Sequence, residues 1–181
     1  MSTMTWVYVV LGVLFVVTIA GYFSHVAGRL DRAHLKVEST RSALNTNAAH
    51  RSSLALEYGR LDVVPADISQ ALSAAARAAR DEEFAESGWH LESVLTAAIA
   101  AAIEDLDLLE QARTRAPEVV ADLASVCRRV QYARRFHNDA VSQARALRDR
   151  FVARTFRLAG HAPLPEDIDF DDSVPPPFEA H

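Results

Sequence analysis

Residues Trp6 to Phe23 read WVYVVLGVLFVVTIAGYF, 18 consecutive positions without a charged side chain. As a helix rising about 1.5 Å per residue, the run reaches roughly 27 Å, close to the hydrocarbon thickness of a bilayer. The expectation is one membrane-spanning helix with Trp6 and Phe23 at its ends. A cleaved signal peptide competes with this reading, but it wants a basic leader, a shorter apolar stretch and small residues at the cut. Here the leader MSTMT has no Lys or Arg, and cleavage after Ala27 would put His25 at the −3 position. The run therefore reads as a retained signal-anchor. Orientation follows from the cations: none precedes the span, whereas Arg29, Arg32 and Lys36 fall within about 15 residues after it. That asymmetry predicts a single-pass protein of the cell (inner) membrane, N-terminus outside and body cytoplasmic. Cys127 is the lone cysteine, so no intrachain disulfide supports an oxidising compartment, and it reads as a small core residue.

The rest divides at about residues 25 and 160 into a helical body, 26–160, and a tail, 161–181. The tail, HAPLPEDIDFDDSVPPPFEAH, holds five of the chain's seven prolines and six acids with no Lys or Arg. Such a composition predicts disorder, because it offers too little apolar surface to offset the entropy of ordering it. Phe170 and Phe178 among those acids could form a short docking motif, with an unoccupied solubilising tail as the plainer reading. Without Glu166–His181 the chain has 19 cations against 18 acids, so the formal charge of −5 belongs to the tail.

The body is rich in Ala, Leu, Arg and Glu and has no alternating β-branched run, which predicts an all-α fold. Its clearest pattern is Val119, Leu123, Val126, Val130, Ala133, His137, Ala140, Ala144, Leu147 and Phe151, spaced alternately by four and three. That 3.5-residue seam belongs to a long helix of a bundle or coiled coil, with Pro117 suited to its first turn and a length of about 40 residues. Upstream, no proline separates the span from Arg60, so the anchor is expected to continue as the first bundle helix. Leu30, His34, Val37, Leu44, Leu54 and Tyr58 form its apolar stripe, and Gly59 with Asp62 to Pro65 marks a break or kink. Alanine-rich residues 66–86 and then 89–113 predict two further helices. About 135 residues suffice for one antiparallel long-helix bundle and are too few for two domains.

Residues 81–111 hold nine acids and no Lys or Arg, while 118–160 hold nine arginines against four acids. Antiparallel packing of the two segments would let those charges set register, at about 0–1 kcal/mol per exposed pair. Alternatively, the surplus arginines read anionic lipid headgroups. The seven histidines are scattered, and no HExxH, CxxC, Glu-x-x-His or glycine-rich phosphate loop occurs. No catalytic, metal or cofactor site is therefore expected, and no small-molecule substrate. His137, in the seam, reads as a packed core residue. Nucleic acid is not an expected partner, because the body is near neutral and its arginines lack interleaved aromatics.

The stretch Ala133-Arg-Arg-Phe-His-Asn-Asp-Ala-Val141 resembles the terminal-helix motif of the LemA family, with Arg134, Arg135, Phe136, Asn138 and Asp139 in matching places. His137 stands where that family has Tyr. Arg51 and Leu54 are similar to its Arg-x-x-Leu, and the order of outer N-terminus, anchor and helical body is similar too. The resemblance implies a membrane-anchored helical bundle of bacterial type without established enzymatic activity, encoded in some bacteria beside membrane metallopeptidases. Two functions follow as expectations. One is an interaction or scaffold module that self-associates or docks a protein partner, such as a membrane metallopeptidase by family analogy. The other is a membrane-surface sensor whose Arg-rich helix reads anionic lipid.

Overall fold

A computed structural model describes residues 3–81, 89–149 and 165–179. Among these residues the fold is all-α, with six helices and no strand. They are α1 (Thr3–Tyr58), α2 (Ala66–Asp81), α3 (Trp89–Ala102), α4 (Leu106–Arg115), α5 (Pro117–Arg148) and a single turn, α6 (Pro176–Glu179). The absence of proline through residue 64 lets α1 run for 56 residues, as the sequence implied. It stops at Tyr58 and the chain turns through residues 59–64, after which the Pro65 carbonyl accepts from Ser69 N at 2.9 Å and opens α2.

Two compact units result, residues 1–38 with 140–166 and residues 39–139 with 167–181. In the first, α1 carries the apolar run. Its large side chains from Trp6 to Tyr22 are exposed, and none of the most apolar stretch is covered by protein. This helix is long and apolar enough to cross a membrane. Thr18 Oγ1 donates to the Leu14 carbonyl at 2.8 Å, so the hydroxyl in the middle of the run is satisfied within its own helix. Beyond the run, Leu30 of α1 and Ala140, Val141 and Ala144 of α5 are buried.

The second unit holds the main core. Alanine lets α2 and α3 approach closely, as its abundance implied: Leu72, Ala75, Ala76 and Ala79 share a core with Leu95, Ile99 and Ala102. Leu54, Ala55 and Tyr58 of α1, Leu109 and Ala112 of α4, and Val120, Leu123, Val126 and Cys127 of α5 complete it. The α5 seam is buried from Leu123 through Ala144 at every expected position, His137 included, and Val119 and Leu147 are half-buried. His137 Nδ1 lies 3.4 Å from Thr40 Oγ1. Phe151 lies outside the described residues, as does part of the expected length of this helix.

Two expectations need correction. The helix expected over 89–113 is two helices, because Asp105 takes an extended backbone and its carboxylate accepts from Asp107 N and Leu108 N, capping α4. Asp and its neighbours compete with the helix for those amides, and an alternating apolar pattern does not register the competition. The second correction concerns the tail. Residues 165–175 are irregular, as prolines and acids dictate, but disorder does not describe 165–179. Ile168, Phe170, Asp172, Val174 and Phe178 are all buried. The other tail residues, 161–164 and 180–181, lie outside the described set.

Candidate peptide-docking groove

Residues 168–174 alternate strictly, with Ile168, Phe170, Asp172 and Val174 buried and Asp169, Asp171 and Ser173 exposed. That is the two-residue period of an extended chain laid on a surface. The surface is a groove of the second unit, made by one face each of α3 and α5 with Arg51 of α1 beneath it.

The α5 wall is Arg128, Gln131, Arg134 and Asn138, spaced three, three and four and so on one helical face. Asn138 holds residue 168 at two points: its Nδ2 donates to the Ile168 carbonyl at 2.9 Å, and its Oδ1 accepts from Ile168 N at 3.0 Å. A side-chain amide thereby replaces a strand neighbour. Arg134 grips Asp172 in fork geometry, Nε to Oδ2 at 2.7 Å and Nη2 to Oδ1 at 3.0 Å, and lies 3.4 Å from Asp169. The Asp172 hydrogen bonds raise the Arg134 pKa above its already high ordinary value, so the cation is permanent. Farther along, Arg128 Nη1 donates to the Phe178 carbonyl at 2.6 Å and Arg113 Nη2 to that of Pro177 at 3.1 Å. The docked segment therefore runs antiparallel to α5.

The α3 wall is Trp89, Ser93 and Thr96, again one face. Ser93 Oγ accepts from Asp171 N at 2.9 Å, and Thr96 Oγ1 lies 2.7 Å from the Asp171 carbonyl. Trp89 stacks on Phe170 with centroids 5.4 Å apart and planes 8° from parallel, while the guanidinium carbons of Arg51 and Arg134 lie 6.0 and 5.7 Å from the same ring. Cations within about 6 Å of a ring face add roughly 0.5–2 kcal/mol each, more where water is excluded. Phe178 closes the far end beside a cavity of about 350 Å³ lined by Pro117, Val120, Ala121 and Ala124. Burying each phenylalanine contributes about 1.5–3 kcal/mol.

The buried Arg51 supports this arrangement from below. It forms an ion pair with Glu92 and donates to Thr96 Oγ1 at 3.0 Å and to the Glu92 carbonyl at 3.1 Å. Thr96 receives that bond and faces Asp171, so the core ion pair is one hydroxyl away from the docked backbone. Asp171 caps its own turn by accepting from Ser173 N at 3.0 Å. The hydrogen bonds from Ser173 hold its pKa below the usual carboxylate range.

Of the residues singled out by the LemA-like motif, Arg134 and Asn138 meet in the groove. Arg135, Phe136 and Asp139 face away from it and are exposed. Through Arg134 and Asn138, α5 is locked on the C-terminal segment. The charge pairing follows suit: Arg128, Arg134 and Arg145 bond to residues 165–178, whereas Glu92 of the acidic stretch pairs with Arg51. Trp6 is exposed and Phe23 half-buried in the first unit, where Arg29, Arg32 and Lys36 are exposed along α1. The sequence reading missed Trp89, Ser93, Thr96 and Asp172. The alternation of Ile168, Phe170, Asp172 and Val174 was the signal that could have found the last of these. Among the described residues no cluster of three metal-ligating side chains occurs. No family model matches the chain, and neither a curated protein nor a solved structure matches it.

Proposed function

We propose that this chain is a single-pass, non-enzymatic membrane protein whose helical body is an interaction module for acidic, aromatic-bearing peptide in extended form. Its own residues 165–179 are the resident occupant, and a partner protein carrying the same pattern competes for the groove. The observation that carries this reading is the paired grip of Arg134 on Asp172 and Asn138 on the Ile168 backbone, which recognises a carboxylate and an extended main chain together. The groove's polar groups are engaged with backbone and carboxylate, which favours docking over catalysis. The likeness of residues 133–141 to the LemA motif supports the same class. The cations Arg29, Arg32 and Lys36 after the span favour a cytoplasmic body at the cell membrane.

The test is binding of a labelled peptide of residues 165–179 to the full chain in detergent micelles. Apparent affinity scales with the fraction of empty grooves, so a chain with Phe170→Ala and Asp172→Ala in its own tail should bind the peptide at least about tenfold tighter than the unaltered chain. Peptide that binds neither chain, or binds equally well with its own Asp172 replaced by Ala, would overturn the proposal.

A further inference from the structure

Where the apolar run of α1 ends, the first unit contains a second cavity, of about 470 Å³, between α1 and α5. His25, Arg29, Arg32 and Lys36 line one side of it. Their spacing of four, three and four puts all four on one face of α1. Across from them, Ala140 and Leu147 of α5 supply an apolar wall and Gln143 an amide. Four basic side chains around a partly apolar hollow form a site for a phosphate attached to something greasy.

Depth along the helix says which phosphate. His25 is about 3 Å beyond Phe23, Arg29 about 9 Å and Arg32 about 14 Å. The headgroup layer extends about 5–8 Å beyond the hydrocarbon. His25 therefore stands within that layer and Arg29 at its edge. Helical side chains lean toward the N-terminus, which here is the membrane side. Arg32 does so: its Nε donates to the Gly28 carbonyl at 2.9 Å, laying the guanidinium over the preceding turn. Tyr22, exposed just inside the same end, provides an interfacial aromatic beside which acyl chains would lie.

We infer that this cavity binds the phosphate headgroup of an anionic phospholipid, with Arg29 and Arg32 as the principal ligands. The cations that read lipid are then on the anchor helix, while on α5 Arg128, Arg134 and Arg145 bond to the C-terminal segment. This site is independent of the peptide groove.

The experiment is native mass spectrometry of the full chain released from micelles containing equal phosphatidylglycerol and phosphatidylcholine. The unaltered chain should retain one phosphatidylglycerol in preference to phosphatidylcholine. Arg29→Gln with Arg32→Gln should lower that retention about 30-fold, from the typical value of juxtamembrane cations and the tenfold-per-1.4-kcal/mol relation. Arg77→Gln with Arg80→Gln, an equal charge change on exposed positions of α2, should leave it unchanged, and Arg29→Lys with Arg32→Lys should keep most of it. Equal retention of the two lipids, or equal losses in the two Gln pairs, would refute a specific site. Displacement of the lipid by millimolar glycerol 3-phosphate would assign the cavity to free phosphate instead.

Discussion

Replacing Arg134 by Ala should release the docked C-terminal segment without unfolding the bundle. The Arg134 and Asp172 side chains are 20% and 9% exposed, so the pair is largely but not wholly desolvated. Two charge-assisted hydrogen bonds are lost, and Asp172 is left as a largely buried carboxylate without its cation. Breaking a buried pair from one side costs about 3–5 kcal/mol, and partial exposure of Arg134 points to the lower end, about 3 kcal/mol. The cost cannot exceed the docking free energy, because the segment can leave and rehydrate Asp172. The loss should therefore appear as local opening and not as global destabilisation. Amide hydrogen exchange of the full chain in micelles separates the two. Protection at Ile168 and Asp171, whose amides donate to Asn138 and Ser93, should fall by about 10²-fold. Protection at Ile99 and Val126, in the cores of α3 and α5, should hold. Unchanged exchange at Ile168, or an equal loss at all four amides, would refute the reasoning.

Three further outcomes are expected. Arg51→Met should lower global stability by about 3–5 kcal/mol because it strands Glu92, whereas Arg51→Met with Glu92→Leu should recover most of the loss. Denaturant midpoints from far-UV circular dichroism decide this, and a double variant as unstable as the single one would count against a buried ion pair. Asp171 has a folded-state pKa below its unfolded value, so its contribution to docking is present above about pH 4 and disappears as the pH falls through the folded value. Acid titration of Trp89 fluorescence in a Trp6→Phe background should report loss of the Phe170 stack in that range, and Asp171→Asn should flatten the titration. Burial raises the Cys127 pKa, and the side chain is almost inaccessible, so alkylation at pH 8 should be slower than in denaturant by at least about 10²-fold. Mass spectrometry of the labelled chain measures that ratio.

Much of the architecture was legible before folding was considered. Eighteen uncharged residues state a membrane-scale helix, and the absence of proline until Pro65 states its continuation. The 3.5-residue seam named the buried face of α5 residue by residue, because periodicity reports local geometry and α5 is long enough for its pattern to repeat. The α3 to α4 break was missed for the opposite reason. One aspartate capping two amides outweighs an apolar pattern that runs on past it.

The sequence alone determined that the fold is all-α, which stretch can enter a membrane and that residues 165–175 take no regular structure. Only tertiary structure decided that those residues are docked. Composition counts their acids and prolines as surface too poor to order itself, which is correct for the segment in isolation. Arg134, Asn138 and Trp89 lie about 30 to 80 positions away along the chain. They supply the charge, the backbone partner and the ring face that Asp172, Ile168 and Phe170 lack locally. A hydrogen bond or stack between distant positions leaves no period in either segment, so its energy emerges only when the fold brings the two together.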